Sequence, residues 1–191
     1  MKKPPVEIVA SFLAVTTIVM ALPPYNLPPW ALFVAWAGTF AAGGPKPEVL
    51  KKIWPVMPIG SLCACSIVLG FACASHYFIG TPLIIAQMVI LFCLNTVQML
   101  LARIPRLGLT FVAGMFFGFA SYFATFFGGF GPNPHSPFAV LGVVILMNAL
   151  GPLYAWLTVR LAAPYGQAST ESVSKVAHVG FQGRGCEDRV P

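Results

Sequence analysis

Residues 33–47 read FVAWAGTFAAGGPKP, and residues 119–134 read FASYFATFFGGFGPNP. Phe33, Trp36, Thr39 and Phe40 of the first stretch match Phe119, Tyr122, Thr125 and Phe126 of the second. Both stretches continue through a glycine pair, Gly43-Gly44 and Gly128-Gly129, to a Pro-x-Pro, Pro45 to Pro47 and Pro132 to Pro134. Weaker matches flank them: Phe12 and Thr17 resemble Phe92 and Thr96, and Gly60 and Ser66 resemble Gly142 and Asn148. Self-similarity of this kind marks an internal repeat. Chance matching in a chain rich in Phe, Gly and Ala is the competing account.

Composition says where such a repeat lives. Of 191 residues, 58% are apolar and only 8% charged, against about 25% charged in a soluble domain. Disorder needs the opposite balance, low hydrophobicity with high charge. The chain is therefore expected to be an integral membrane protein. Its apolar runs lie at about 6–22, 30–44, 56–77, 82–102, 107–127 and 137–162. A spanning helix needs roughly 20 residues, so the second run is short.

The charges set the orientation. Between Glu7 and Arg160 they fall in two clusters, Lys46, Glu48, Lys51 and Lys52, then Arg103 and Arg106. With Lys2 and Lys3 at the start and Arg160 near the end, basic residues mark every second boundary, as the positive-inside rule requires. Six spans with both termini cytoplasmic satisfy every loop. The net charge of +6 is then juxtamembrane and faces anionic lipid, not nucleic acid.

Each repeat unit holds an odd number of spans, three, so the second enters the membrane from the opposite side. The expected fold is all-α: a polytopic membrane protein of six transmembrane helices in two inverted three-helix repeats. The transmembrane domain covers 1–163, with repeat one at about 6–77 and repeat two at about 82–162. Residues 164–191, polar and without periodicity, read as a flexible cytoplasmic tail. Corresponding short, Gly/Pro-interrupted segments in two inverted halves point to a translocation site.

The 18 prolines fit this plan if they sit between helices or at their first turns. Pro55 and Pro58 are placed between segments on this reading, and only Pro152, after Gly151, falls well inside a span. Gly114 and Gly118 have the G-x-x-x-G spacing that lets another helix approach closely. Two other readings compete at the N-terminal end. MKKPPVEIVASFLAVTTIVMALPP, residues 1–24, has the basic start and apolar core of a secretory signal but no small-x-small cleavage site. The second run also suits a buried helix of a water-soluble protein.

LPPWALFVAWAGTFAAGG (27–44) and FVAGMFFGFASYFA (111–124) resemble the two hallmark stretches of the domain of unknown function 1097 family. The resemblance extends over most of 6–162. It implies a small bacterial inner-membrane protein, multi-pass, and carries no settled activity. The loop FGPNPHSP after the second glycine pair is longer than the family pattern.

The chemistry on offer is narrow. The interiors of the runs carry no Asp, Glu, Lys or Arg, the usual mark of proton relays and ion-coupled sites. His76 and His135 fall at the outer boundary beside Ser75 and Ser136, and neighbours on a helix do not face each other. Cys63, Cys65, Cys73 and Cys93 lie in apolar runs with no His at ligand spacing and read as small buried hydrophobes. No catalytic site, metal, nucleotide site or cofactor is expected. Neutral polar groups remain, most of them interhelical contacts. Asn95 and Gln98 share a helix face and, with Asn148, could line a passage flanked by Trp36, Thr39, Phe40, Tyr122, Thr125 and Phe126. That lining suits a channel or facilitator for a small neutral solute or an ion. The alternative is a non-transporting membrane subunit that scaffolds or assembles a larger complex, and a homo-oligomer is compatible with either. A membrane enzyme is a distant third.

Overall fold

The computed structural model describes residues 3–163; the expected tail, 164–191, lies outside them. Among the described residues the chain is all-helical, with no strand. Its helices are α1 (Val6–Ala21), α2 (Pro29–Ala41), α3 (Pro47–Tyr77), α4 (Thr81–Ala102), α5 (Val112–Phe127) and α6 (Pro137–Leu161), with one 3-10 turn at Pro105–Leu107. A proline sits in the first turn of α2, α3, α4 and α6, where its missing N–H costs no helical hydrogen bond.

Three helices, α3, α4 and α6, are long and apolar enough to cross a membrane. The expected shortness of the second run is seen in α2, and α1 and α5 are short as well. Helices α1, α2 and α5 are equally apolar but have 16, 13 and 16 residues. At 1.5 Å per residue these reach about 24, 20 and 24 Å, short of a hydrocarbon core of about 30 Å. Helix α5 starts later than the apolar run because the turn at Pro105–Leu107 is followed by Gly108 at φ +65°, a left-handed conformation that stops helix propagation. Large apolar side chains such as Ile8, Phe12, Ile84, Met88, Phe92 and Leu146 cover the outside. Such a surface is far more apolar than water tolerates and points to a membrane protein.

The prolines divide differently from the sequence expectation. Pro152 is inside α6, as expected, but Pro55 and Pro58 are also helical, inside α3. The helix starts at Pro47, nine residues before the apolar run, because the basic stretch Lys46–Lys52 forms its first turns rather than a loop. Apolar surroundings favour a continuous helix even across a proline, since neighbouring helices compensate for the lost backbone bond.

The most extensive helix contacts are α3 with α5 and α2 with α6. Helix α3 also packs on α4 and α6, and α2 on α5. Glycines permit the tightest approaches. A Cβ on Gly60 would overlap the backbone carbonyl of Met115, and one on Gly118 that of Met57. Gly114 also turns to α3, against Val56. In the other pair, Gly151 of α6 lies on Ala35 and the backbone of Trp36.

The loops assort by end. Gly131 N–H donates to the Asn26 carbonyl at 2.8 Å, and Trp30 meets Phe130 edge-on at 4.1 Å, so the α1–α2 and α5–α6 connections lie together. At the other end Lys3 Nζ donates to the Arg160 carbonyl at 3.0 Å and Ala163 N–H to the Pro4 carbonyl at 2.8 Å. Ala42, Val49, Leu101, Ala102 and Leu109 share one apolar cluster, which joins the α2–α3 and α4–α5 connections.

Helices α2 and α5 end alike. Gly43 and Gly129 both have positive φ, +113° and +71°. Gly44 N–H bonds to the Thr39 carbonyl at 2.9 Å and Gly43 N–H to that of Phe40 at 3.0 Å; Phe130 bonds to Thr125 at 3.1 Å and Gly129 to Phe126 at 3.2 Å. Each is a Schellman cap, with glycine at the left-handed position. The repeated glycine pairs are thus helix stops, not interruptions within a helix. Gly43 corresponds to Gly129, in step with the aromatic residues before it. The weaker pairing of Gly60 with Gly142 has no such counterpart, because Gly60 is pressed on a backbone and Gly142 faces open space.

Candidate functional site

Helices α3 and α6 carry internal prolines, and they pack on each other near Pro58 and Asn148. Proline has no N–H, so the carbonyl four residues earlier loses its helical donor. Pro58 does this to Trp54, and Pro152 does it to Asn148. Trp54, Met57 and Pro58 from α3 and Ile145, Asn148 and Ala149 from α6 line one cavity of about 30 Å³. Asn148, near the middle of α6, is 2% exposed, and neither its Oδ1 nor its Nδ2 has a hydrogen-bond partner. An unmet buried amide group costs about 1–3 kcal/mol, so its retention at this crossing calls for an explanation.

The hydroxyl residues of the interior behave differently. Thr39 Oγ1 donates to the Ala35 carbonyl at 2.8 Å, Thr125 to Ser121 at 2.7 Å and Thr158 to Tyr154 at 2.7 Å, each on its own helix. A short hydroxyl reaches the carbonyl one turn back. An amide, with two donors and a two-lone-pair acceptor, cannot be satisfied in that way. Gln98 has the same character: it is the one buried residue of α4, 0% exposed, and both its side-chain polar atoms lack a partner.

The residues singled out from the sequence are dispersed over the bundle. Trp36 and Tyr122 both turn inward, 8% and 0% exposed, but belong to different apolar clusters. Trp36 packs on Tyr154 with ring centroids 5.6 Å apart. Tyr122 stacks on Phe126 at 6.0 Å and donates its hydroxyl to the Pro137 carbonyl at 3.1 Å. Thr39 and Thr125 are fully buried, whereas Phe40 is 42% exposed. Asn95, half-buried, and Gln98 are on α4, which packs on α3 and the Pro105–Leu107 turn; neither borders the Asn148 cavity. Among the described residues no group of His, Cys, Asp and Glu is arranged to hold a metal.

The chain matches the model of the family described as Protein of unknown function (DUF1097) over residues 7–163. It belongs to that family. The matched region starts in the first turn of α1 and ends just after α6, so the family unit is the whole bundle. No curated protein and no solved structure matches the chain.

Within this DUF1097 bundle Ser61 and Tyr154 have roles that the sequence did not single out. Ser61 Oγ donates to the Gly118 carbonyl at 2.9 Å across the α3–α5 contact. The Tyr154 hydroxyl pairs with Thr16 Oγ1 at 2.9 Å and ties α1 to α6. One signal for the first was present. Met57-x-x-Gly60 and Met115-x-x-Gly118 are the same pattern on two helices, and each glycine receives the other helix's methionine backbone. Pro58 was legible only as a residue between segments, because its relation to Asn148 is purely spatial.

Proposed function

We propose that this protein is a channel or facilitator for a small neutral solute or an ion, a multi-pass protein of the inner membrane with both termini cytoplasmic. The observation that carries the reading is the Asn148 amide, buried and unpartnered where two proline-containing helices pack on each other. Irregular or under-bonded backbone at membrane depth is tolerated where protein covers it or where it lines a wet passage. In the proposal the six helices form two inverted repeats, α1–α3 and α4–α6. Support comes from the paired Schellman caps. It comes also from the dominant contacts: exchange of α2 with α5 and of α3 with α6 turns the α2–α6 pair into the α5–α3 pair. The short helices α1, α2 and α5 would then cross a locally thinned bilayer, an adjustment of modest cost per ångström.

Flux into proteoliposomes tests the reading. The protein is expected to carry a small solute or ion faster than empty vesicles do, and Asn148→Leu to remove the difference. No flux above empty vesicles, for any small solute or ion offered, defeats it. Topology is separate: a reporter fused after Lys52 should read cytoplasmic and one after Pro134 external, and the same side for both would end the inverted-repeat proposal.

A second reading, a non-transporting membrane subunit that scaffolds or assembles a larger complex, is favoured by α4. Only 6% of its apolar window is buried, against 44% in α3 and in α6. Gentle detergent extraction separates the two: a stoichiometric complex with a larger partner supports the subunit, and an isolated homo-oligomer or monomer with flux supports the facilitator.

A further inference from the structure

The end of the bundle that holds the α2–α3 and α4–α5 connections is strongly basic. Lys46, Lys51, Lys52, Arg103 and Arg106 stand there against one acid, Glu48; five against one leaves four positive charges in excess. The two clusters are far apart in sequence, and the fold brings them together. Val49 and Ile53, on either side of Lys51 and Lys52, share an apolar cluster with Leu101, Ala102 and Leu109, on either side of Arg103 and Arg106. Helix register agrees. Ile90 of α4 lies against Gly70 of α3. From that contact, at 1.5 Å per residue, α4 ends about 18 Å away at Ala102 and Lys52 lies about 27 Å away on α3, at the depth of the connection that follows α4. Lys52 is also two turns before Ile59 on one helix face, and Ile59 packs on the same cluster as Leu101.

The cations of this corner differ from the others at the same end. Lys3 Nζ donates to the Arg160 carbonyl at 3.0 Å, and the Arg160 guanidinium lies 5.1 Å over the Trp156 ring. Lys52, Arg103 and Arg106 are exposed. The backbone that carries the arginines is fixed: Arg103 N–H bonds to the Leu100 carbonyl at 3.0 Å, Ile104 N–H to Leu101 at 3.2 Å and Leu107 N–H to Ile104 at 3.1 Å. An apolar surface leads to them. Val97 and Leu100 share a face of α4, Ile104 and Leu107 follow in the connection, and all four are exposed. Exposed apolar side chains that end in a group of cations match a phospholipid, whose acyl chains and phosphate have the same order. A soluble anion has no use for the apolar part.

We propose that this α3–α4–α5 corner binds the phosphate of an anionic phospholipid through Lys52, Arg103 and Arg106, with the acyl chains laid along Val97, Leu100, Ile104 and Leu107. Basic pockets between membrane helices hold anionic headgroups in this way. The planar fork of arginine meets two phosphate oxygens at once, and lysine adds a point charge. Glu48 stands one turn before Lys52 and draws on its charge, so the two arginines carry the larger share. The site uses no residue of the Asn148 cavity and serves a facilitator or a scaffolding subunit alike.

Native mass spectrometry of purified full-length protein in a neutral detergent tests the site. The probes are phosphatidylglycerol, phosphatidylcholine and, as a free headgroup, glycerol 3-phosphate. Phosphatidylglycerol is expected to be retained at least about 10-fold more than phosphatidylcholine, and glycerol 3-phosphate not to displace it. At roughly five-fold per basic residue, Arg103→Gln with Arg106→Gln should cut retention at least about 10-fold and leave the lipid-free melting temperature unchanged. Lys3→Gln with Arg160→Gln removes the same charge from the same end and should stay within about two-fold of the parent. If the arginine variant melts lower without lipid, Lys52→Gln decides, with an expected loss of about three-fold or more. Equal retention of the two lipids overturns the proposal. So do equal losses in the two double variants, which would mean that any positive charge at this end suffices. Displacement by glycerol 3-phosphate at matched concentration would mean a soluble-anion site and overturns it too, as does unchanged retention in the well-folded arginine or lysine variant.

Discussion

Helix α3 packs on two partners in opposite ways. Against α5 it is fitted backbone to backbone, with Gly60 on Met115, Gly118 on Met57 and Ser61 Oγ bonded to the Gly118 carbonyl. Against α6 the crossing carries prolines, a cavity and an amide with no partner. The first contact brings backbone against backbone and satisfies the Ser61 hydroxyl. The second keeps space and unmet polarity, both of which cost stability. Of the described side chains whose buried polar atoms lack a partner, Trp30, Gln98, Ser121 and Asn148, the one that borders a cavity at this crossing is Asn148.

The largest way to break this contrast is to disturb the frame. Gly60→Ala with Gly118→Ala drives two Cβ atoms into carbonyls that cannot yield without a shift of α3 from α5. Overpacking of this kind costs about 1–3 kcal/mol per site or more, so the double variant should be nearly lost from the membrane fraction. Normal yield and melting temperature would mean that the close approach is not structural.

Asn148→Leu comes next and is expected to split function from stability. Removal of an amide with no partner restores no lost bond, so stability should hold or rise by up to about 1 kcal/mol, while flux falls to background. A melting curve and a flux trace on the same preparation show whether the two separate. A large destabilisation would mean that the amide is bonded in the membrane and belongs to the frame.

Thr16→Val tests a bond between helices and Thr39→Val a bond within one. Thr16 meets the Tyr154 hydroxyl across the α1–α6 contact, and its loss should cost about 1 kcal/mol in thermal or denaturant unfolding. Thr39 bonds only to Ala35 of its own helix, a contact that adds little. Its replacement by an isosteric Val should fall within about 0.5 kcal/mol of the parent. Equal losses for the two would erase the distinction between tethering and self-satisfied hydroxyls.

Much of the architecture was legible because apolar run length and charge placement are local properties. The six helices fall where the runs fall, and Pro152 lies inside α6. The glycine pairs were visible too, but their role was not: positive φ at Gly43 and Gly129 makes them caps. Pro55 and Pro58 misled because a proline in water ends a helix, whereas here α3 continues through both. Of the proposed lining residues, Asn148 borders a cavity, Trp36 and Tyr122 pack in separate clusters, and Asn95 and Gln98 lie on a helix whose neighbour is α3.

The sequence by itself determined that the chain is helical, apolar on its exterior and basic at alternate connections, because those follow from residue type counted along the chain. It also showed that two stretches share one pattern of aromatic residues and a glycine pair. Tertiary structure alone decided which interruptions meet. Pro58 and Asn148 are 90 residues apart in the numbering, and no local preference ties them. They share a cavity because α3 packs on α6 in the folded bundle.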